Sequence, residues 1–594
     1  MALSTPSESP AVVVKEIDLT GGVPNVQSTT GAIVLNSRWG PVEQRVKLSS
    51  EAELVDVFGS PDSDTTFSFH KANMFLKYSN SLQTVRVIDT NAQNAVSTTG
   101  QTAAATAAGL PTEVVKNETY FNSQISALDS DQHTFIAKYP GALGNSLQVS
   151  LCPYSAGDSA FTTWSYKGEF DAAPGTSDFA SKNNATNDEV HAVVIDKAGG
   201  FTGTQGTVLE RYAFTSLGSN AKNADGTTNY IKDILNDRSK YVWLVDFDSD
   251  FQNTLGDKAA AGTAIDSGDN FAKTTGVLNT DIDYNFSQGL NVSTLSTANV
   301  LSGFDLFEDK DQVEIDFLIA SDFSTRTDTT TVVNDLVTTA QSLRKDCVVV
   351  ASPARSDIRN ITSASDIVAN IVATADTFTK SSYLVMDGNY LKIYDKYNDQ
   401  YIEISAASST AGIMAATDLN RAPWFSPAGS RRGQYLGITS LAFSPTKPQR
   451  DTLYKAGVNP IANIPGAGVI LFGDKTKLAR PSAFDRINVR RLFLVLERAI
   501  GRAAEQVLFE FNDEFTRAEF VNIIEPVLRE VKGRRGITDF RVVADETNNT
   551  PAVIDRNEFI ASIFIKPARS INYVTLNFVA VRTGVDFEEV VGTV

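Results

Sequence analysis

Three histidines, His70, His133 and His191, are all the imidazoles in this chain. None stands at a metal-ligand spacing from another histidine or a cysteine, so each reads as an isolated surface or partly buried side chain. Gly199-Gly200-Phe201-Thr202-Gly203-Thr204-Gln205-Gly206 is glycine-rich. A phosphate-cradling loop needs a following Gly-Lys-Ser/Thr that opens a helix; strand-like residues follow here, and the run reads as a β-turn with packing glycines. Asp246, Asp248 and Asp250 are spaced like the start of a calcium loop. Phe251, however, stands where the sharp turn demands glycine, and Asp257 where a bidentate glutamate belongs. A solvated acidic loop is the simpler reading. Ser444 and Ser482 lack the Gly-x-Ser-x-Gly setting of a hydrolase nucleophile. Cys152 and Cys347 cannot build a disulfide framework, and their apolar, β-branched neighbours suggest buried, inert thiols. These residues predict no enzyme, no bound metal and no cofactor.

Arginine is the functional side chain that does show a pattern. Arg490, Arg491, Arg498 and Arg502 lie on one segment whose apolar residues recur at helical spacing. Steps of seven and four put Arg491, Arg498 and Arg502 on one face, and Arg534 and Arg535 extend the stripe from a glycine-flanked loop. Glu497 and Glu505 offer the plainer alternative of a solvated face laced with ion pairs. The functional reading is a basic stripe that docks on an acidic partner. Charge distribution favours it: the net charge is −18, yet from Arg421 onward there are 24 Lys+Arg against 19 Asp+Glu, while the first 420 residues hold 28 against 51. The basic end should face something acidic and the acidic part should face outward. Interleaved Glu and Asp argue against direct binding of nucleic acid.

The elements that position these residues follow from length and periodicity. A chain of 594 residues builds several cores rather than one. No apolar run approaches the roughly 20 residues needed to cross a bilayer, and Met1 to Pro10 has no secretory h-region. Folding in a reducing cytoplasm is expected. Ala11–Leu19, 31–35 and 84–88 read as strands, with helices over 50–58 and 67–78 between the latter two. Residues 90–118 lack periodicity and read as a linker into an insertion. From 135 to about 300 the chain is turn-rich, with β runs at 190–196, 206–214 and 241–246. Strand 313–320, helix 330–344 and strand 347–352 form a βαβ unit, which predicts a parallel sheet. Helix 364–377 follows, then a hairpin of 383–386 and 391–394 through Asp387-Gly388-Asn389. The α/β layer therefore resumes after a long interruption.

The C-terminal block is an α+β module. Thr516 and Glu519 form a capping box flanked by Phe515 and Phe520, and Pro526 should kink the helix they start. Three β runs follow, at 539–544, 559–565 and 573–581. The chain then ends in an apolar–acidic strand, Phe587 to Val591, with no partner inside the module. Such a strand is a handle for another subunit.

The run Asn488 to Gly592 resembles the C-terminal domain of contractile tail sheath proteins of tailed bacteriophages, of the T-even-like sheath family. The likeness rests on the arginine-rich helix after Pro481 and on the ending Leu576 to Glu589. The runs 137–147, 206–210, 222–230 and 460–476 are similar to other parts of large sheath subunits. The resemblance implies an α+β multidomain chain. It comprises an N-terminal arm 1–20, a discontinuous α/β middle domain 21–90 plus 311–445, an outermost β-rich insertion 91–188, a second insertion 189–310, a C-terminal helix-plus-sheet domain 446–583 and a C-terminal arm 584–594. It implies homo-hexameric rings stacked around a tail tube. These assemble in the host cytoplasm, join the virion with baseplate and tail terminator proteins, and contract from a metastable state without membrane insertion. The arms would act through Val12, Val13, Val14 and Ile17, and through Phe587, Glu588, Val590 and Val591. The basic stripe would face the tube. A sheath from a phage-derived bacterial injection system shares all these features.

Overall fold

The computed structural model describes residues 28–98, 114–124, 134–245, 262–272, 281–291 and 295–572. They form two compact units: residues 28–423 with 427–487, and Trp424–Ser426 with 488–572. Both expected arms, His133, the aspartates at 246–257 and the β run 573–581 lie outside the described residues.

The larger unit is built on a six-stranded sheet. It starts with β1 (Gly31–Leu35), β2 (Arg45–Leu48) and β3 (Leu82–Arg86). Between them lie helices α1 (Glu51–Phe58) and α2 (Thr66–Leu76). Ser50 caps α1 by accepting from Glu53 N, while the Glu53 carboxylate reaches back to Ser49 rather than to Ser50. Gly59, at φ 76°, ends the helix.

Seven strands follow in one antiparallel sheet: β4 (Asn94–Thr98), β5 (Phe135–Pro140), β6 (Leu147–Pro153), β7 (Glu189–Asp196), β8 (Thr207–Ser216), β9 (Val242–Leu244) and β10 (Ile282–Ser287). Their order is β8-β7-β6-β10-β4-β5-β9. Two expectations change here. Residues 94–98, expected in a linker, are a strand in the middle of this sheet. The expected boundary at 188/189 is also crossed, because β6 pairs with β7 from Leu147↔Asp196 to Pro153↔Val190. Burial on every residue of β6 leaves no free sheet face at which two separate insertions could part.

The first sheet then resumes. After α3 (Thr297–Asp305) come β11 (Phe317–Ile319), α4 (Arg326–Thr338), β12 (Val348–Ala351), α5 (Ala364–Thr377) and β13 (Leu384–Met386). The order is β13-β12-β11-β1-β3-β2, parallel except for the edge strand β2. β1 pairs with β11 at Gly31↔Phe317, although the whole inserted sheet lies between them in the chain. The apolar runs of β1, β11, β12 and β13 are what a sheet covered on both faces requires, and their side chains contribute to the core of this unit.

The expected hairpin at 387–389 does not form. Asp387 and Asn389 are buried, bonded to Ser352 Oγ at 2.7 Å and to the Phe443 carbonyl at 2.8 Å. A hairpin turn would expose them; instead, the chain passes from one sheet into another. There β14 (Tyr390–Asp395) pairs with β15 (Gln400–Ser405) and β16 (Ser440–Leu441). The buried helix α6 (Ala407–Asn420) follows β15, and the hairpin β17 (Ile461–Ile464) and β18 (Gly468–Leu471) follows β16.

The smaller unit carries α7 (Ile487–Glu505) from Asn488 onward, α8 (Glu514–Gly533), and the antiparallel pair β19 (Ile537–Val543) and β20 (Ser562–Pro567). Asp513, not Thr516, caps α8, accepting from Thr516 N at 2.8 Å. The cap therefore lies three residues earlier than the Thr516/Glu519 pattern suggests, and Phe515 is exposed instead of stapling the helix end. The helical assignment continues through Pro526.

Candidate assembly surface

The residues that suggested chemistry are structural among the described residues. His70 is buried against Asp395 at 3.0 Å, and burial pulls its pKa down. His191 stacks on Phe170 at 4.2 Å; its Nδ1 accepts from Phe214 N, which leaves Nε2 to donate to the Ala172 carbonyl. The glycine-rich turn at 199–206 closes around its own anion: the Asp196 carboxylate accepts from the backbone N–H groups of Gly200, Phe201 and Thr202 at 2.7–2.9 Å. Burial opposes ionisation there, but these bonds and the Ser146 hydroxyl hold the carboxyl below its ordinary range. Cys152 and Cys347 are buried thiols, and burial pushes Cys152 up to about 12. No group of three or more metal-ligating side chains occurs among the described residues.

The basic stripe does not form one exposed face. Arg491 is buried at 3% exposure, and Arg498 and Arg502 are half-buried. On an amphipathic helix the arginine row borders the apolar row, so Arg491 is covered along with Leu492 and Leu494. Arg534 and Arg535 are exposed at the far end of α8. There the helix closes with two reversed bonds, Gly536 N to Val531 O at 2.8 Å and Arg535 N to Lys532 O at 3.0 Å. This termination puts one residue in the left-handed region, ordinarily glycine. Glycines stand at 533 and 536, yet the residue with φ 68° is Arg535.

Trp424 has no motif that marks it in advance. Its indole Nε1 donates to the Arg534 carbonyl at 3.1 Å, its carbonyl accepts from Asn488 Nδ2 at 3.3 Å, and the Arg534 guanidinium lies over its ring. Gly536 suits this site, because a Cβ would stand 2.7 Å from Val531 Cγ1 and 3.0 Å from the indole. Trp424 thus joins the start of α7 to the end of α8. The prolines at 423 and 427 mark the short segment in sequence, but nothing local shows what the ring packs against.

β19 has β20 on one edge, and among the described residues no strand pairs with its other edge. A groove of about 590 Å3 lies between α8 and the end of β19, lined by Glu514, Arg517, Val521, Val542, Ala544 and Glu546 among others. An edge that has no partner among the described residues, beside an open groove, suits the addition of an extended segment.

Sequence comparison identifies what carries this surface. Residues 479–580 match the phage tail sheath C-terminal domain and residues 295–477 the phage tail sheath protein central domain. The tail sheath protein of Vibrio phage KVP40 is 33% identical, with 98% of this chain and 99% of that protein covered. This chain belongs to the phage tail sheath family. The tail sheath protein of Enterobacteria phage T4 is 31% identical, again over 98% of this chain and 99% of the relative. The fold agrees with sheath tail proteins solved from Desulfitobacterium hafniense and Listeria innocua. Each has a TM-score of 0.51, at 12% and 11% identity, covering 94% and 91% of this chain and 100% and 96% of theirs. The sheath chain is thus a structural subunit of a contractile phage tail, a virion component and not an enzyme. No helix among its described residues is long and apolar enough to cross a membrane.

Proposed function

We propose that the chain assembles as stacked hexameric rings around a tail tube, with baseplate and tail terminator proteins at the two ends. The sheath contracts from a metastable extended state to drive the tube through the host envelope. Assembly takes place in the host cytoplasm. The connectors are the arms 1–20 and 584–594, acting through Val12, Val13, Val14 and Ile17, and through Phe587, Glu588, Val590 and Val591.

The observation that carries this reading is the two-stranded β19–β20 sheet beside its groove. A sheet of this kind can be extended by strands donated by neighbours. One added strand contributes four or five backbone bonds at about 1 kcal/mol net each, less the cost of ordering the arm. That is weak for one pair of subunits and strong through a lattice. Glycines at 21, 22 and 584 give the arms hinges, so that subunits can rotate while remaining connected. The energy of contraction is a difference between two packings, held back kinetically.

Deleting residues 1–20, or 584–594, should leave a folded monomer that forms no long tubes in negative-stain images; normal tubes from either truncation would rule the connectors out. For the tube contact, Arg498 and Arg502 are the half-buried members of the stripe still within reach. Reversing Arg498 and Arg502 to Glu should weaken binding to the tail tube protein more than self-assembly. Equal loss of both would exclude a tube contact.

A further inference from the structure

The two ends of α8 are opposite in character, and each holds a strained residue. At the N-terminal end, Leu508, Phe509, Phe511 and Phe515 are exposed among the acidic Glu510, Asp513 and Glu514. Phe509 is fully exposed at φ 71°. Polar contacts fix this loop and leave the rings outside: Asn512 donates to the Glu558 carbonyl at 2.8 Å and accepts from Arg517 at 3.0 Å, while Asp513 caps the helix. At the C-terminal end, Arg529, Lys532, Arg534 and Arg535 are exposed, with Arg535 at φ 68°. Left-handed backbone is costly for both of these bulky residues. Acidic and basic side chains at the respective ends also suit the helix dipole, but the dipole accounts for neither the phenyl rings nor the strain.

We propose that the two ends are complementary halves of one contact between copies of this chain. The aromatic–acidic loop of one subunit docks on the arginine end of α8 in the next. Phenyl faces attract guanidinium groups, and the carboxylates of Glu510, Asp513 and Glu514 match the excess of cations at the other end. The ion pairs that Arg529, Lys532 and Arg534 make with Glu525, Asp539 and Glu530 lie at the surface, so they can be exchanged, and Arg535 is left as the excess cation of this end. The 20 residues of α8 span about 30 Å, so the two ends cannot meet within one subunit. The contact is therefore heterologous, head to tail, and generates rings or helices rather than closed dimers. It rests on the self-assembly proposed above but does not involve the arms.

The test is disulfide trapping between two full-length variants, Leu508→Cys and Gly533→Cys. Both positions are exposed, a Cβ at Gly533 meets nothing within 4 Å, and the native cysteines are buried. Mixed and oxidised, the two variants should form a disulfide-linked dimer at least about tenfold more readily than either alone, given the geometry the bond demands. Adding Arg535→Glu to the Gly533→Cys chain should abolish this dimer and leave circular dichroism unchanged. No excess of the mixed dimer, or an excess untouched by Arg535→Glu, overturns the proposal. Tubes without the mixed disulfide would sink this contact alone. A mixed disulfide in a wild-type background that forms no tubes would sink the tube assembly alone.

Discussion

The Trp424 indole donates from Nε1 to the backbone carbonyl of Arg534 at 3.1 Å, and the Arg534 guanidinium lies 5.1 Å from the centre of the same ring. A segment remote in sequence from α8 thus helps to terminate that helix. Trp424→Ala should destabilise the C-terminal unit by about 3–5 kcal/mol, as aromatic deletions from packed sites do. Trp424→Phe keeps most of the packing and loses the hydrogen bond, about 1 kcal/mol. Hydrogen exchange at residues 488–572 measures both; unchanged protection in Trp424→Ala would refute the role of Trp424 in joining α7 to the end of α8.

Arg535 occupies a left-handed position that favours glycine. Arg535→Gly should stabilise the unit by about 1 kcal/mol, read as a higher melting temperature of the monomer. The same change should weaken assembly, because a side chain used between subunits is lost.

Arg86 is fully buried without a carboxylate partner. Its guanidinium donates to the carbonyls of Ser37, Gly40 and Pro140 at 2.7–3.0 Å, and burial pulls it down to about 9. It ties the end of β3 to the end of β5. Arg86→Leu leaves these carbonyls unmet and should cost about 3 kcal/mol. Denaturant melts of the purified chain measure the loss.

Asp387 is buried against Ser352 and Thr410, and burial pushes its carboxyl up to about 7 despite those hydrogen bonds. Its folded pKa lies above the ordinary carboxyl value of 3.8. The folded state therefore holds the proton more tightly. The stability this contributes is complete below pH 3.8 and is lost as the pH rises through about 7. Asp387→Asn removes that dependence: its melting temperature should fall less than the wild type's between pH 5 and pH 8. Parallel pH profiles would refute the assignment.

What the sequence revealed and what it concealed divide along physical lines. The strand–helix–strand at 317–351 was legible because apolar period and length agree there, and its parallel pairing follows from the crossover. Asp387-Gly388-Asn389 misled because its composition is that of a turn, whereas long-range bonds to Ser352 and Phe443 bury it. The arginine stripe was legible as a helical face; the burial of Arg491 depends on packing that spacing does not encode. Thr516 misled through a good capping pattern with a better cap, Asp513, three residues upstream. Trp424 was invisible because its partners Asn488 and Arg534 lie 64 and 110 residues away.

The most direct test of the account is cryo-electron microscopy of the assembled full-length chain at a resolution that traces strands. The account predicts stacked six-fold rings in which the β19–β20 sheet carries a strand from a neighbouring subunit, from residues 11–19 or 587–591. A β19–β20 sheet that receives no strand from a neighbouring subunit, or assemblies without six-fold rings, would contradict it.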